Sequence, residues 1–472
     1  MFWWWALVAG AEPLTLEQSL QEALTANAEL QIGGLALEDS QAALLRARGG
    51  LDPQLSLGVD TAASNSPTNT QVDGQDVLQT SSSGWTASVT QPTPTGGAAT
   101  LSVAERAFAS NSQNVVSPRT VSDQVTLSVR QPLLSGVGAL GPIRAARLTL
   151  SDAELARRAQ VEQAILDVSG GYWRLVSAIR TLALAQGSVQ VAQQSLTDTR
   201  ERFDEGFAGT GDVFQVERAV GTASQALVVA EAELEAADAA LKRLMGRDVA
   251  DPVALEPTDV PAVLAEQPDL DTVLSLARSG NADWLRQQLG QQRAALGVRQ
   301  ARIAALPDLS VSGAVGVSGL GESAAEARSE TGSGAFNDWS VGASLSVPLP
   351  ARGLRADWTQ ARIAQQAARI ALEAAEQDLY IRAQAAVRRV QRDRLRSELA
   401  AETVRVANLA LQADQELLRE GKGSTRDVVV SLEARDRATA AELQALIDLQ
   451  GSQLDLKRVT GSLVGGVTLE PQ

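Results

Sequence analysis

The chain has 472 residues with no His and no Cys, and 41 Lys plus Arg stand against 56 Asp plus Glu for a net charge of −15. These counts exclude His/Cys metal sites, cysteine nucleophiles, Ser-His-Asp triads and a disulfide framework, and they disfavour nucleic acid as a partner. Only 3% of residues are aromatic and alanine is abundant, a composition suited to closely packed helices rather than to one large globular core.

The chain opens on an apolar run, MFWWWALVAGA, that closes with Ala9-Gly10-Ala11. That A-x-A ending predicts a signal peptide over 1–11 and a mature start near Glu12. The competing reading is a buried N-terminal helical turn, and because no Lys or Arg precedes the run, a start further upstream stays open. Elsewhere no stretch of 18 or more apolar residues occurs, so no helix is expected to span a bilayer.

A first helix is expected from about Thr15 to Arg48, with Thr15-x-x-Gln18 resembling a capping box. Strands follow over about 53–132. Leu55, Leu57 and Val59 alternate with Ser56, Gly58 and Asp60, and Val125, Leu127 and Val129 alternate with Thr126, Ser128 and Arg130. Between them, Trp85, Ala87 and Val89 alternate with Thr86, Ser88 and Thr90. Leu101 and Val103 do the same against Thr100, Ser102 and Ala104. Pro92–Gly97 is a short turn, whereas 64–83 and 109–121 are longer and polar. A long helix is then expected over 142–205, a glycine turn at Gly206, and a helix over 213–246.

Residues 247–268, with four prolines, read as a linker. The order then repeats: a helix over 271–305 that ends before Pro307, strands over about 309–348, a long helix over 354–420, a glycine turn at Gly421, and a helix over 428–461. In the second strand region Leu309, Val311, Val315 and Val317 face one way, and Val341, Ala343, Leu345 and Val347 repeat the pattern. Six strands per chain are expected. Ala368, Leu372, Ala375, Leu379, Ala383, Ala386 and Val390 form a narrow coiled-coil-like seam on the long helix.

The repetition extends to single residues. Segment 203–246 recurs as 418–461, so Gly206 falls on Gly421, Asp212 on Asp427, and Leu241-Lys242-Arg243 on Leu456-Lys457-Arg458. Ala26–Leu30 likewise matches Gly280–Trp284, and Gln131-Pro132-Leu133 matches Val347-Pro348-Leu349. Two copies of one unit, about 12–250 and 251–472, with an insertion in the first, explain the offsets.

At about 1.5 Å per residue the long helices reach roughly 100 Å, too long for a globular domain, so they must build a rod or a tube. Period-two strands with Ser, Thr and Gly opposite the apolar side are what a membrane β-barrel requires, apolar to lipid and polar to a wet lumen. A soluble sheet packed on one face is the competing reading. Trp85, Phe336 and Trp339 lie near strand ends, as interfacial aromatics do.

The duplicated helix–strand–helix unit, the strand exit Gln131-Pro132-Leu133 and the turn Arg202–Phe207 leading to Asp212-Val213 together resemble the TolC-like outer-membrane efflux proteins, from about Leu14 to Gly461. The resemblance implies an α+β membrane protein, internally duplicated. Its short transmembrane β-barrel is completed by trimerisation, and a long periplasmic α-helical coiled-coil barrel opens at its tips like an iris. It implies four strands per chain rather than six. By the same resemblance Arg202, Phe203, Gly206, Phe207, Gly421 and Lys422 are adaptor-contacting tips, Asp427 rings the periplasmic aperture, and Pro132 and Pro348 are strand-to-helix exits. Both glycines also suit a plain helix reversal, and Asp427 also suits a helix cap. Val430 stands where the family carries a second acid.

The implied role is a passive exit duct in the outer membrane of a Gram-negative-type cell, in a tripartite efflux pump or a type I secretion system. Its partners are its own copies in a homotrimer, a periplasmic adaptor (membrane fusion) protein, an inner-membrane RND or ABC transporter, and outer-membrane lipid. No acid–base–nucleophile constellation stands out, so neither enzyme activity nor a cofactor or metal is expected. The alternative is a soluble coiled-coil structural protein of the periplasm or cell surface.

Overall fold

The computed structural model describes residues 12–68, 73–135, 139–206, 209–260, 269–420, 422–423 and 425–464. The leader expected over 1–11 lies outside the described residues. In chain order the first repeat reads β1 (Glu12–Leu14), α1 (Leu16–Ala26), α2 (Ala28–Gly49), β2 (Gln54–Pro67), β3 (Val77–Pro92), β4 (Ala98–Ser110), β5 (Arg119–Pro132), α3 (Gly141–Asp204) and α4 (Thr210–Met245). The second reads β6 (Leu255–Pro257), α5 (Leu270–Gly280), α6 (Ala282–Ala304), β7 (Asp308–Gly321), α7 (Ala324–Ser333), β8 (Phe336–Ser346), α8 (Arg352–Arg419) and α9 (Thr425–Thr460). Two compact units result, one of Met1–Leu37, Asp152–Gln288 and Leu372–Gln472, the other of Glu38–Ser151 and Leu289–Ala371.

The first unit is built from helices. Its main core gathers Leu14, Val168, Tyr172, Leu175, Leu241 and Met245. Leu379, Ala383, Ala386 and Val390 of the expected seam are all buried, because apolar residues three and four apart share one helix face.

Each helix expected to be continuous at the start of a repeat is broken, at Asn27 and at Asn281. Asn27 donates its side-chain amide to the Leu244 carbonyl at 2.8 Å, and its Oδ1 accepts the amides of Glu29 and Leu30 at 2.9 and 3.2 Å. It thereby ties the last turn of α4 to the first turn of α2. Asn281 repeats the device, donating to the Val459 carbonyl at 3.2 Å and accepting from the Trp284 amide at 3.0 Å. Gly246 and Gly461 turn the chain away with φ of 79° and 68°. A Cβ on either would lie 2.4 Å from the Ala26 carbonyl oxygen or 2.1 Å from that of Gly280, so only glycine fits. Each Asn side chain satisfies amides that the break leaves open at the start of the next helix.

The linker reading of 247–268 also needs correction at its centre. β6 pairs in parallel with β1, Glu12 opposite Leu255 and Leu14 opposite Pro257. Tyr172 donates its hydroxyl to the Leu14 carbonyl at 3.0 Å, and Asp259 accepts the Leu16 amide at 2.6 Å. Arg247 holds Glu12 at 2.6 Å and Glu22 at 2.7 Å, which secures the same strap electrostatically. Burial pushes the Tyr172 hydroxyl up to about 12.

The second unit carries a single six-stranded antiparallel sheet, ordered β2-β3-β4-β5-β7-β8. The inserted strands β3 and β4 stand inside it. Register places Leu55, Val89, Leu101, Leu127, Val315 and Trp339 opposite one another across all six strands. One residue along, on the other face, the row is Ser56, Ser88, Ser102, Thr126, Gly316 and Asp338. Side chains alternate faces with period two, so each strand's local pattern becomes a property of the whole sheet.

One element has no counterpart in the sequence reading. α7 interrupts the second strand region, capped by Ser323, whose hydroxyl accepts the Glu326 amide at 3.4 Å. It lies on the apolar face of β5 and β7. There Thr331 donates to the Asp123 carbonyl at 3.2 Å and Arg328 bridges to Glu105 at 2.7 Å. Phe336, expected beside Trp85 and Trp339, instead shares the Ser/Gly face, because it stands opposite Ser318 while Trp339 stands opposite Val315.

Candidate functional site

Two places carry the residues singled out in the sequence: the helix reversals of the first unit and the two faces of the sheet. At the first reversal α3 ends at Asp204, and Gly206 closes the turn at φ 81°, its amide donating to the Phe203 carbonyl at 3.0 Å. A Cβ on Gly206 would meet nothing within 4 Å, so the positive φ rather than crowding selects glycine there. Arg200 of α3 bridges to Glu217 of α4 at 2.7 Å and fastens the two helices just behind the turn. Phe203 is 41% exposed, and Arg202 is exposed beside it. Phe207 lies outside the described residues.

The second reversal is chemically different. Lys422 and Gly423 both return their amides to the Leu417 carbonyl at 2.9 Å, and the Lys422 ammonium pairs with Glu420 at 2.9 Å. Ser431 of α9 donates to Asp414 of α8. Asp427 is the third residue of α9 and exposed. Its repeat partner Asp212 accepts the Gly209 amide at 2.9 Å, which is capping geometry. Gly421 lies outside the described residues.

Sequence reasoning missed Phe214. It is 66% exposed in the first turns of α4, so the first reversal presents two aromatic side chains among its charges, whereas the second presents charges without an aromatic residue. The signal was available in the helical period. Val213, Val216, Val220, Leu227, Ala230, Leu234, Ala237 and Leu241 form the inward stripe of α4, and Phe214 falls off it.

On the sheet, Pro132 ends β5 opposite Ser310, and Pro348 follows the end of β8. Each precedes a long helix, and a residue that cannot donate to the ladder suits that exit. The apolar face is exposed across the sheet, with Leu57 at 74% and Trp339 at 75%. Its acids Glu105 and Asp123 lie at one end beneath α7, where the apolar band stops. The opposite face carries ion pairs Arg106–Asp60 at 3.2 Å and Arg130–Asp308 at 3.5 Å among small polar residues. Every residue of β2 and of β8, the two edges, is exposed. No helix among the described residues is long and apolar enough to cross a membrane, and none of their acidic groups is arranged to hold a metal ion.

Comparison with known proteins adds to this geometry. The family model described as "Outer membrane efflux protein" matches residues 19–247 and 273–462. Protein CyaE of Bordetella pertussis is 28% identical over 170 residues, which cover 36% of this chain and 36% of CyaE, so the match spans little more than a third of that relative's length. The Campylobacter jejuni CmeC outer membrane channel superposes with a TM-score of 0.70 at 16% identity, covering 95% of this chain and 86% of CmeC. The open state of the Neisseria gonorrhoeae MtrE outer membrane channel gives a TM-score of 0.65 at 19% identity, covering 95% of this chain and 89% of MtrE.

Proposed function

The chain belongs to the outer membrane efflux protein family, and from that premise we propose that it is a passive exit duct, closed by three copies. In this reading it takes cargo from a periplasmic adaptor and an inner-membrane transporter, in a tripartite efflux pump or a type I secretion system. It is an outer-membrane channel with a TolC-like fold and not an enzyme, and the soluble structural alternative falls with that assignment. The observation that carries the closed pore is the sheet itself. It offers lipid an apolar band that runs across all six strands, water a face of mostly small polar residues, and leaves both edges, β2 and β8, exposed.

An open edge inside a bilayer strands a row of backbone amides and carbonyls, each costing several kcal/mol. Pairing β8 of one copy with β2 of the next satisfies both rows at once and closes the wall. Three copies of a six-stranded sheet give about eighteen strands, a width that leaves an aqueous lumen. The helices of the first unit form the periplasmic tunnel, and its reversals meet the adaptor. Phe203 and Phe214 present the apolar contact of the first tip, Gly206 and Lys422 shape the turns, and Asp427 lies at the aperture. Native mass spectrometry in detergent is expected to show a trimer that dissociates on heating. A stable monomer as the sole species would overturn the closed-pore reading.

A further inference from the structure

Helix α6 runs into β7 and α8 runs out of β8, and a groove of about 690 Å³ lies between the two helices. It is lined by Gln292 and Ala295 of α6 and by Thr359, Arg362 and Gln365 of α8. One heptad nearer the sheet, the same helix faces carry Arg299 and Arg302 on α6, and Arg352, Arg355 and Trp358 on α8. Residues seven apart keep to one side of a helix within about 20°, so these four arginines and the indole border the sheet end of the groove. All four arginines are exposed. None of their guanidinium groups makes a hydrogen bond or ion pair among the described residues. Further along the same helices, Arg286 holds Asp152 at 3.0 Å and Arg396 holds Asp448 at 2.7 Å.

Four cations gathered this closely need an anion, and the acids at this level do not supply it. Asp308 already holds Arg130 at 3.5 Å. Asp52 and Asp357 are the other acids within two turns of the sheet, where Arg46, Arg48, Arg144 and Arg147 compete for them. Exposed apolar residues stand beside the four cations. Leu306 follows α6 and is 42% exposed, Leu349 precedes α8 and is 87% exposed, and Trp358 is open at the groove itself. The apolar face of the sheet ends here too, with Leu309 opposite Leu345. A free anion would need the arginines but not these neighbours. A phospholipid meets both, because its headgroup layer is about 5–7 Å thick per leaflet and the four arginines stand within about 8 Å of their helix ends. Leucines and an indole suit the acyl boundary, and the planar guanidinium fork suits phosphate. Their summed charge favours a headgroup of net negative charge. We propose that Arg299, Arg302, Arg352 and Arg355 bind the phosphate of an anionic phospholipid in the leaflet beside the helices, with Trp358, Leu306 and Leu349 against its acyl end. The site rests on the outer-membrane duct reading above and adds a lipid partner to it.

Lipid retention by the purified full chain tests the site. The protein in nonionic detergent is equilibrated with equal amounts of phosphatidylglycerol and phosphatidylcholine, freed of unbound lipid by size exclusion, and its bound lipid measured. The wild type is expected to prefer phosphatidylglycerol at least about fivefold at about 0.1 M salt, and less at about 0.5 M, where charges are screened. Replacing the four arginines together (Arg299→Gln, Arg302→Gln, Arg352→Gln, Arg355→Gln) is expected to bring the preference close to parity, and Lys at the same positions to keep most of it. Arg180→Gln with Arg388→Gln, more than about 50 Å from the sheet along their helices, is expected to leave it unchanged. Should the fourfold variant not assemble, Arg352→Gln with Arg355→Gln carries the comparison with a fall of at least about twofold. A wild type without preference, or a preference that the Gln variants keep, overturns the site. Planar-bilayer recordings in phosphatidylcholine address soluble anions and the duct. Block by tripolyphosphate that the Gln variant loses, while its lipid preference survives, assigns the arginines to the lumen and overturns the lipid site. Stepwise channel insertion by the wild type supports the duct whatever the lipid result. A wild type that forms no channels overturns the duct and the site with it.

Discussion

Asp427 and its repeat partner Asp212 hold the same helix position in the two repeats. Asp212 caps α4 through the Gly209 amide at 2.9 Å, and an acid in the first turn also favours the helix dipole. Asp427 holds the same position in α9, and three copies at a narrow aperture within a Debye length of about 8 Å would repel one another and attract cations. Asp427→Asn is expected to weaken block of single-channel current by divalent or trivalent cations. Capping alone would leave block unchanged and cost at most about 1 kcal/mol, since Asn caps nearly as well. The paired asparagines give a second prediction. Asn27 is 8% exposed and serves both helix ends, so Asn27→Ala is expected to destabilise by about 1–3 kcal/mol, read as a lower thermal midpoint. Asn27→Asp keeps the acceptor and loses the donor to Leu244, and should recover part of that loss.

At the scale of elements, α7 and β1 are small pieces with local work to do. α7 covers the charged end of the lipid-facing surface, where Arg328 meets Glu105, whose side chain is 13% exposed, and Trp85 donates to the same carboxylate at 3.3 Å. Removing the guanidinium leaves an uncompensated, largely buried acid beside lipid. Arg328→Ala is therefore expected to lower the temperature at which the assembled form dissociates on gels, and Arg328→Lys to retain most of it. β1 depends on the Arg247 clamp. The hydrogen bond from Arg247 holds the Glu12 carboxyl below its ordinary 4.5, so folding gains stability from Glu12 above that value. The gain is lost as pH falls through the lower folded value. Because the Glu12 side chain is 46% exposed, screening keeps it under about 1 kcal/mol. Limited proteolysis at the strap is expected to accelerate below about pH 4.5 in the wild type, and to be fast and flat with pH in Glu12→Gln.

For the whole molecule, duplication sets the plan and its departures set the chemistry. Both repeats carry the Asn joint, the positive-φ glycine and the long helix. Only the first carries β3 and β4, and only the second carries α7 between its strands. The inserted hairpin adds two strands to the sheet, giving six where the family resemblance implied four. The reversals diverge too: Phe203 and Phe214 stand exposed at the first, and no aromatic residue stands at the second. Such asymmetry makes the two reversals of each copy chemically different surfaces.

Elements whose signal is local and periodic are legible in the order of residues. Alternation announced each strand of the sheet, threes and fours announced the inward face of α8, and the offsets announced the repeat, since side-chain direction follows from backbone period alone. The remaining features depend on partners distant in the chain. Asn27 ends a helix because the Leu244 carbonyl waits for its amide. Residues 255–257 become a strand because Glu12–Leu14 lies beside them. α7 had its Ser323-x-x-Glu326 cap in plain view, yet ten residues gain helical order chiefly from packing on β5 and β7. Phe336 and Trp339 are three residues apart, hence on opposite faces of β8, and register tells which neighbours each joins, Ser318 for Phe336 and Val315 for Trp339.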